Sequence, residues 1–389
     1  MNLKTNIFIF ILLLVFSCST DKQNEANKII NDFYTENNLD LRETIFEVQA
    51  ISQKGLLILT GETDQPELKN KLLNSLNHFK IEDKISILPD STVGDKEFGL
   101  INLSVANLRS EPNHSAELAT QALMGTPVKI LKIINGWFLI QTPDKYISWV
   151  DSDGIFPISK SQLDTWKYSN RLIFKGDNGT IYENDSFENP VSDVVLGNIL
   201  EMIETNTKWV KVKLPDGRTG FSETKDWIDF NDFKDTVQTD SIRLKNLATS
   251  LMGRPYLWGG TSARAMDCSG FVKTLYFMNG IILARDASLQ CKHGQIVDTG
   301  KNFNNLQTGD LLFFGQKKSE SQPEKITHVA LSLGSTEFIH ASGKIERNSF
   351  NPESKIYSEY RMNSFVGAKR IIGYENNSGI QTLKDHPWY

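Results

Sequence analysis

The chain has 389 residues, of which 39% are hydrophobic and 23% charged, with a formal net charge of −5. This is globular composition, it rules out a broadly disordered chain, and the length calls for several domains. No basic block is present, which argues against a nucleic-acid partner.

At the N-terminus Lys4 precedes an apolar run, Ile7 to Phe16, that ends in Ser17-Cys18. About ten apolar residues are too few to span a bilayer as a helix and fit the core of a signal peptide. The stretch "LLVFSC" resembles a bacterial lipoprotein signal covering residues 1–18. The resemblance implies a lipidated Cys18, attachment to a membrane through that lipid, and an exported protein of the bacterial cell envelope. An ordinary cleaved signal or an uncleaved anchor are the alternatives, and both also export the chain. Beyond Cys18 only Cys268 and Cys291 remain, available for a disulfide or for a working thiol. No CxxC pair and no HExxH occurs, so a zinc site has no support.

Ala26–Glu36 reads as a helix with Ile29, Ile30 and Phe33 on one face. "FEVQAIS" and "GLLILTGE" alternate as two strands around a Lys54-Gly55 turn, Glu67–Phe79 reads as a helix and "KISIL" as a strand. This small α/β module, 24–92, weakly resembles membrane-associated BON-type modules. An internal repeat follows at a shift of 72: Trp137 falls on Trp209, Pro143-Asp144 on Pro215-Asp216, Gly125 on Gly197, and Trp149 on Phe221. Short alternating strands, a Pro-Asp turn and a closing aromatic predict two small β-barrels, 96–156 and 160–232. "VANLRSEP", "GTPVKIL" and "GWFLIQTPDKYISWV" resemble bacterial SH3-like domains, which implies modules that bind or orient cell-wall peptide. A helix is predicted from Asp240 to Met252, with Leu244, Leu247 and Leu251 on one face and Gly253 and Pro255 ending it. The segment 240–373 holds every candidate for chemistry, and 374–389 reads as a loose or surface-laid extension.

Cys268 lies between a loop-like stretch, "GRPYLWGGTSARAM", and apolar residues at helical spacing, Phe271, Val272, Leu275 and Met278. It therefore falls in the first turn of a helix capped by Asp267, where free amides and the helix dipole favour thiolate over thiol. A thiolate nucleophile needs a base, usually His, held by a third polar group. Two of the six His lie in strand-like segments: His328 in "THVALSLG" and His340 in "EFIHASG". Alternation sets Val329, Leu331 and Leu333 on one face and His328, Ala330 and Ser332 on the other.

"YLWGGTSARAMDCSGFV", "GDLLFF", "THVALSLG" and "FIHASG", in that order, are similar to the NlpC-type family of papain-like cell-wall cysteine peptidases. The resemblance implies an α+β multidomain chain with a papain-like catalytic domain behind the α/β module and the two barrels. It implies Cys268 as nucleophile, His328 as base and general acid, and His340 as the orienting third member. With two barrels ahead, the chain looks like a γ-D-glutamyl-L-diamino-acid endopeptidase, which cuts peptidoglycan stem peptides carrying a free N-terminal L-Ala. By that resemblance Glu117, Tyr146 and Asp267 would hold the substrate ammonium, and Tyr256, Ser269 and Ser288 would contact substrate. Ser288 stands one place later than the family's usual Ser, because "RDAS" has Ala287 first. The second barrel carries Asn189 and Arg218 at the offsets of Glu117 and Tyr146, so the barrel itself does not require the acid and the phenol. Endopeptidase action on intact peptidoglycan, a non-catalytic wall-binding protein and an amidase for acyl chains are the rival readings.

Overall fold

The computed structural model describes residues 5–53, 55–375 and 380–389, with side chains from Asp21 onward. The side chain of Cys18, and Lys54 of the expected turn, lie outside the described residues. Two compact units result, 1–94 and 95–389. The fold is α+β and multidomain, as expected.

In the first unit the opening helix runs Thr5–Glu36, beginning well before the expected Ala26. Strands Phe46–Gln53 and Leu56–Thr63 pair antiparallel, and the second pairs parallel with Ile81–Ile87 across the helix Pro66–Ser75. Phe46, Val48 and Ala50 alternate inward on the first strand and meet Ala26, Ile30, Leu59 and Leu72. This is the burial that period-two and period-3.6 patterns dictate.

The second unit begins with two seven-stranded antiparallel sheets. Each strand of the first has a counterpart 72 positions on, to within one residue at either end: Leu118–Leu123 matches Pro190–Val195, Trp137–Gln141 matches Trp209–Lys213, Ile147–Asp151 matches Thr219–Glu223. Gly125 and Gly197 both take positive φ, +80° and +91°. Gly125 has a second reason to be glycine, because a Cβ there would lie 1.8 Å from the carbonyl of Ile199 in the second barrel.

Behind the barrels lies a six-stranded antiparallel sheet in the order Gln295–Ile296, Phe365–Arg370, Thr308–Gln316, Lys325–Gly334, Glu337–Ser342, Lys344–Ser349. Helices Ser241–Ser250 and Cys268–Phe277 contribute Leu244, Ala248, Phe271, Val272 and Leu275 to one core with Val329, Leu331, Ile339 and Ala341 of that sheet. The other sheet face packs Leu312, Phe314, Ala330, Phe338 and Phe350. The alternation read around His328 is therefore correct in its faces, but both faces are buried.

The C-terminal segment corrects the sequence reading. Gln381–Thr382 pairs with Ile281–Ile282, Leu383 is wholly buried, and Tyr389 packs on Phe230 and Phe277. Trp388 meets Phe98 of the first barrel edge-on, and His386 Nε2 lies 3.2 Å from the carbonyl of Pro143. Polarity and a proline suggested a loose end; two large aromatic rings, each with a polar handle, outweigh them once there is a junction to fill.

Candidate active site

The loop from Tyr256 to Asp267 leads into the helix that begins at Cys268. The Asp267 carboxylate accepts the Gly270 amide at 2.7 Å and so caps the helix Cys268–Phe277, as its N-cap position predicts. Four further donors reach it: the Ser269 hydroxyl at 3.1 Å, the Gly259 amide at 3.0 Å, and Arg285 Nη1 and Nη2 at 3.1 and 2.5 Å. Arg285 is buried, and its Nε donates to Thr120 of the first barrel at 2.6 Å. Burial alone would lower the Arg285 pKa, but the adjoining Asp267 charge raises it overall, so the pair is ionic.

Cys268 follows directly and is 7% exposed. The amides of Val329 and Ser269 point at its sulfur. These amides and Arg285 favour the thiolate, yet burial, and after it the Asp267 charge, push the thiol up to about 11. The resting form is therefore the thiol, contrary to the expectation from the helix dipole alone. Desolvation of an anion in a closed site outweighs a few aligned amides.

His328 and His340 sit on neighbouring strands, Lys325–Gly334 and Glu337–Ser342, with His328 Nε2 and His340 Nδ1 2.7 Å apart. His340 Nε2 lies 2.8 Å from Asn348 Oδ1. Burial first, then the charge of Arg361, lowers the pKa of both rings, that of His340 to about 4. Both rings are neutral, and the hydrogen bonds then fix their tautomers. His340 Nε2–H donates to the amide oxygen of Asn348, His328 Nε2–H donates to His340 Nδ1, and His328 Nδ1 is left with a lone pair. A break in pairing lies just before His328. Phe314 faces His328, but the next residue, Gly315, faces Ile326, leaving Thr327 as a bulge beside the site. Asn348 and the bulge both escaped sequence reading. The register His340↔Glu346 does suggest a polar partner on the next strand, but alternation alone does not single out Asn348.

The first barrel contacts the loop before Cys268 and the helix that follows it. Glu117 accepts a hydrogen bond from Trp258 Nε1 at 2.7 Å, although 141 residues separate them. Gln121 accepts the Thr261 amide through Oε1 at 3.1 Å and the Thr261 hydroxyl through its carbonyl at 3.0 Å. Tyr146 packs with Ala119, Ala284 and Leu289, beside Arg285. Asp144 pairs with Lys273 of the helix Cys268–Phe277 at 3.3 Å. Gly259 has φ +77°, and a Cβ there would meet the carbonyl of Leu118 at 2.3 Å. In the second barrel Arg218 instead pairs with Asp216 of its own turn, and Asn189 bonds Glu183.

Two expected substrate contacts, Asp267 and Ser269, have structural partners. Both Asp267 oxygens are engaged by the five donors above, and the Ser269 hydroxyl, 4% exposed, donates to Asp267 and accepts from Arg285. They hold the helix start and, through Arg285, the barrel together. Tyr256 is fixed by its amide to the carbonyl of Gly343, and burial, then the charges of Cys268 and Asp267, raise its phenol pKa. Ser288 lies in the short helix Ala287–Gln290, which packs on the His328 strand, and its carbonyl accepts from the Cys291 thiol at 3.2 Å. Both described cysteines are free. Among the described residues no group of three or more His, Cys, Asp and Glu is placed to hold a metal ion.

Residues 253–370 match the NlpC/P60 family, and 108–155 match the bacterial dipeptidyl-peptidase SH3 domain. Residues 253–370 are an NlpC/P60 domain. The chain is similar to dipeptidyl-peptidase 6 of Lysinibacillus sphaericus, 28% identical over 266 residues, covering 66% of this chain and 92% of that one. It is also similar to the γ-D-glutamyl-L-lysine dipeptidyl-peptidase of Bacillus cereus, 28% identical over 240 residues, 60% of this chain and 69% of that one. In fold it resembles an NlpC/P60 family protein from Bacillus cereus, with a TM-score of 0.60 and 21% identity, over 71% of this chain and 99% of that one. It also resembles an NlpC/P60 endopeptidase from Photobacterium damselae subsp. piscicida, with a TM-score of 0.54 and 15% identity, over 77% and 76%. Cys268, His328, His340 and Arg361 all lie within the NlpC/P60 domain, whereas Glu117 and Tyr146 lie in the SH3 domain.

Proposed function

We propose that the protein is an exported cysteine endopeptidase that hydrolyses the γ-D-glutamyl–diamino-acid bond of peptidoglycan stem peptides bearing a free N-terminal L-Ala, and that Cys18 carries its lipid anchor. The observation that carries the chemistry is the chain of hydrogen bonds from Asn348 through His340 to His328, whose next residue, Val329, points its amide at the Cys268 sulfur. Substrate arrival lets Cys268 pass its proton to His328 Nδ1 as sulfur attacks the γ-carbonyl carbon. The oxyanion is held by backbone amide of the helix start. The C–N bond then breaks, the leaving amine takes the proton from His328, and a thioester remains on Cys268. Water gives a proton to His328 and attacks the thioester, the C–S bond breaks, and the thiol is restored.

The substrate reading rests on the first barrel. Its Glu117 reaches the loop that leads to Cys268, and its Tyr146 lies beside Arg285, while the second barrel turns its equivalent positions on itself. A carboxylate at a fixed distance from the nucleophile is suited to an ammonium two residues before the scissile bond. With Asp267 neutralised by Arg285, Glu117 is the free charge at that end. The relatives' names fit this reading, since two are named as dipeptidyl-peptidases for γ-D-glutamyl-L-lysine. Incubation with the tripeptide L-Ala-γ-D-Glu-L-Lys, followed by mass spectrometry, is expected to give L-Ala-D-Glu and lysine with wild type and nothing with Cys268→Ala. Cleavage by Cys268→Ala at the wild-type rate, or release of alanine instead of lysine, refutes the assignment.

A further inference from the structure

The site contains a cation that the hydrolysis described above does not use. Arg361, in the short helix Glu359–Ser364, donates from Nη2 to the Ser342 hydroxyl at 3.0 Å. Its guanidinium lies over the rings of Phe314 and Tyr360, with Cζ 5.5 and 5.2 Å from the centroids. Phe314 in turn touches the His328 ring at 5.6 Å, and Ser342 ends the strand that carries His340. Arg361 is half-buried, and among the described residues it has no carboxylate within ion-pair distance, in contrast to Arg285 and Arg370, which are paired to Asp267 and Asp310. Its charge depresses the pKa of both catalytic imidazoles. An unpaired guanidinium held by stacking at the edge of a reaction cleft is built to receive an anion.

Connectivity sets which part of the substrate reaches it. From Glu117 the contacts run through Trp258, Gly259 and Asp267 to Cys268, then through the Val329 amide and His328 to Phe314 and Arg361. Glu117 thus reaches the nucleophile through the loop before it, and Arg361 through the strand that carries His328. If the amine end of the peptide lies at Glu117, the residue released by cleavage lies towards Arg361. We infer that Arg361 binds a carboxylate carried by the released diamino acid. The inference rests on the peptidase reading above and adds a second specificity point to it: ammonium at one end, carboxylate at the other. Two carboxylates share this chemistry, the α-carboxylate of a stem peptide that stops at the diamino acid and the distal carboxylate of diaminopimelate.

Three peptides that begin L-Ala-γ-D-Glu separate these sources: one ends in L-lysine, one in L-lysinamide, and one in meso-diaminopimelate amidated at its L-centre. Wild type is expected to cleave the lysinamide peptide with kcat/KM about ten-fold below a carboxylate-bearing peptide, the size of one charge-assisted hydrogen bond. Whichever acid restores the rate identifies the carboxylate read. In Arg361→Gln the ratio of acid to amide substrate should fall to about one, and Arg361→Lys should retain part of it. Equal kcat/KM for all three peptides with wild type overturns the inference without any variant and leaves the peptidase reading standing. A ratio unchanged in Arg361→Gln overturns it as well. No cleavage of any of the three by wild type removes the peptidase reading and this inference with it.

Discussion

Cys268 shows how two local effects compete at one atom. Its place at a helix start was legible in the sequence from Asp267 and the apolar spacing that follows, and the cap is formed as read. The protonation state was not legible, because it depends on how far the sheet covers the sulfur, and burial keeps the thiol protonated. Site-resolved alkylation of Cys268 by iodoacetamide should therefore be slow at pH 7 and accelerate steadily towards pH 10. A rate flat between pH 5 and 8 would instead mark a resting thiolate–imidazolium pair. The same residue scale explains why Asn348 went unread: a polar residue on an outer strand has no periodic signature, and only the sheet register puts its amide oxygen on His340 Nε2. Asn348 is a positioning residue. Asn348→Leu should lower kcat about 100-fold with little change in KM, as loss of an aligned base does. Asn348→Asp keeps the acceptor and adds a negative charge, which favours imidazolium, so the acid limb of kcat/KM should move to higher pH. An unmoved limb in Asn348→Asp would contradict the relay.

At the scale of elements, the repeat made both barrels visible in the sequence, since a shift of 72 aligns their strands within a residue. What the repeat cannot show is which barrel docks on the catalytic domain. That choice is made by the strand Leu118–Leu123 and the residue just before it: Glu117, Thr120 and Gln121 bind Trp258, Arg285 and Thr261. Gly259 fits this contact because it combines a left-handed backbone with close approach to Leu118. Gly259→Ala should cost about 1–2 kcal/mol from the backbone alone, before the clash with the Leu118 carbonyl. The observable is KM for the free tripeptide, which should rise more than kcat falls as Glu117 is displaced. A fall in kcat at constant KM would place the role of Gly259 at the nucleophile instead.

Across the whole molecule, the segment Ile380–Tyr389 ties the catalytic core to the first barrel, which its polar sequence concealed. Tyr389→Ala removes a ring between Phe230 and Phe277 and should destabilise the second unit by about 3–5 kcal/mol, measured by urea unfolding. Acid sensitivity follows from buried neutral imidazoles. His340 and His386 are held at about 4, by burial first, against an ordinary 6.5. The unfolded chain takes up protons below pH 6.5 that the folded chain refuses until about pH 4, so stability drains as pH falls through that window. The thermal midpoint should decline from pH 6.5 to 4, and His386→Gln should make that decline shallower. An equal slope in the variant would show that the His386 proton is not part of it.

The central claim joins the two domains in one act: an acid from the barrel fixes the amine, and a cysteine from the NlpC/P60 domain cuts two residues away. Its most direct measurement is kcat/KM for L-Ala-γ-D-Glu-L-Lys against the same peptide N-acetylated, in wild type and in Glu117→Gln. Wild type should prefer the free amine by about ten-fold or more, the worth of a charge-assisted contact, and Glu117→Gln should erase most of that preference by lowering the rate on the free peptide. Equal cleavage of both peptides by wild type, or an undiminished preference in Glu117→Gln, contradicts the account.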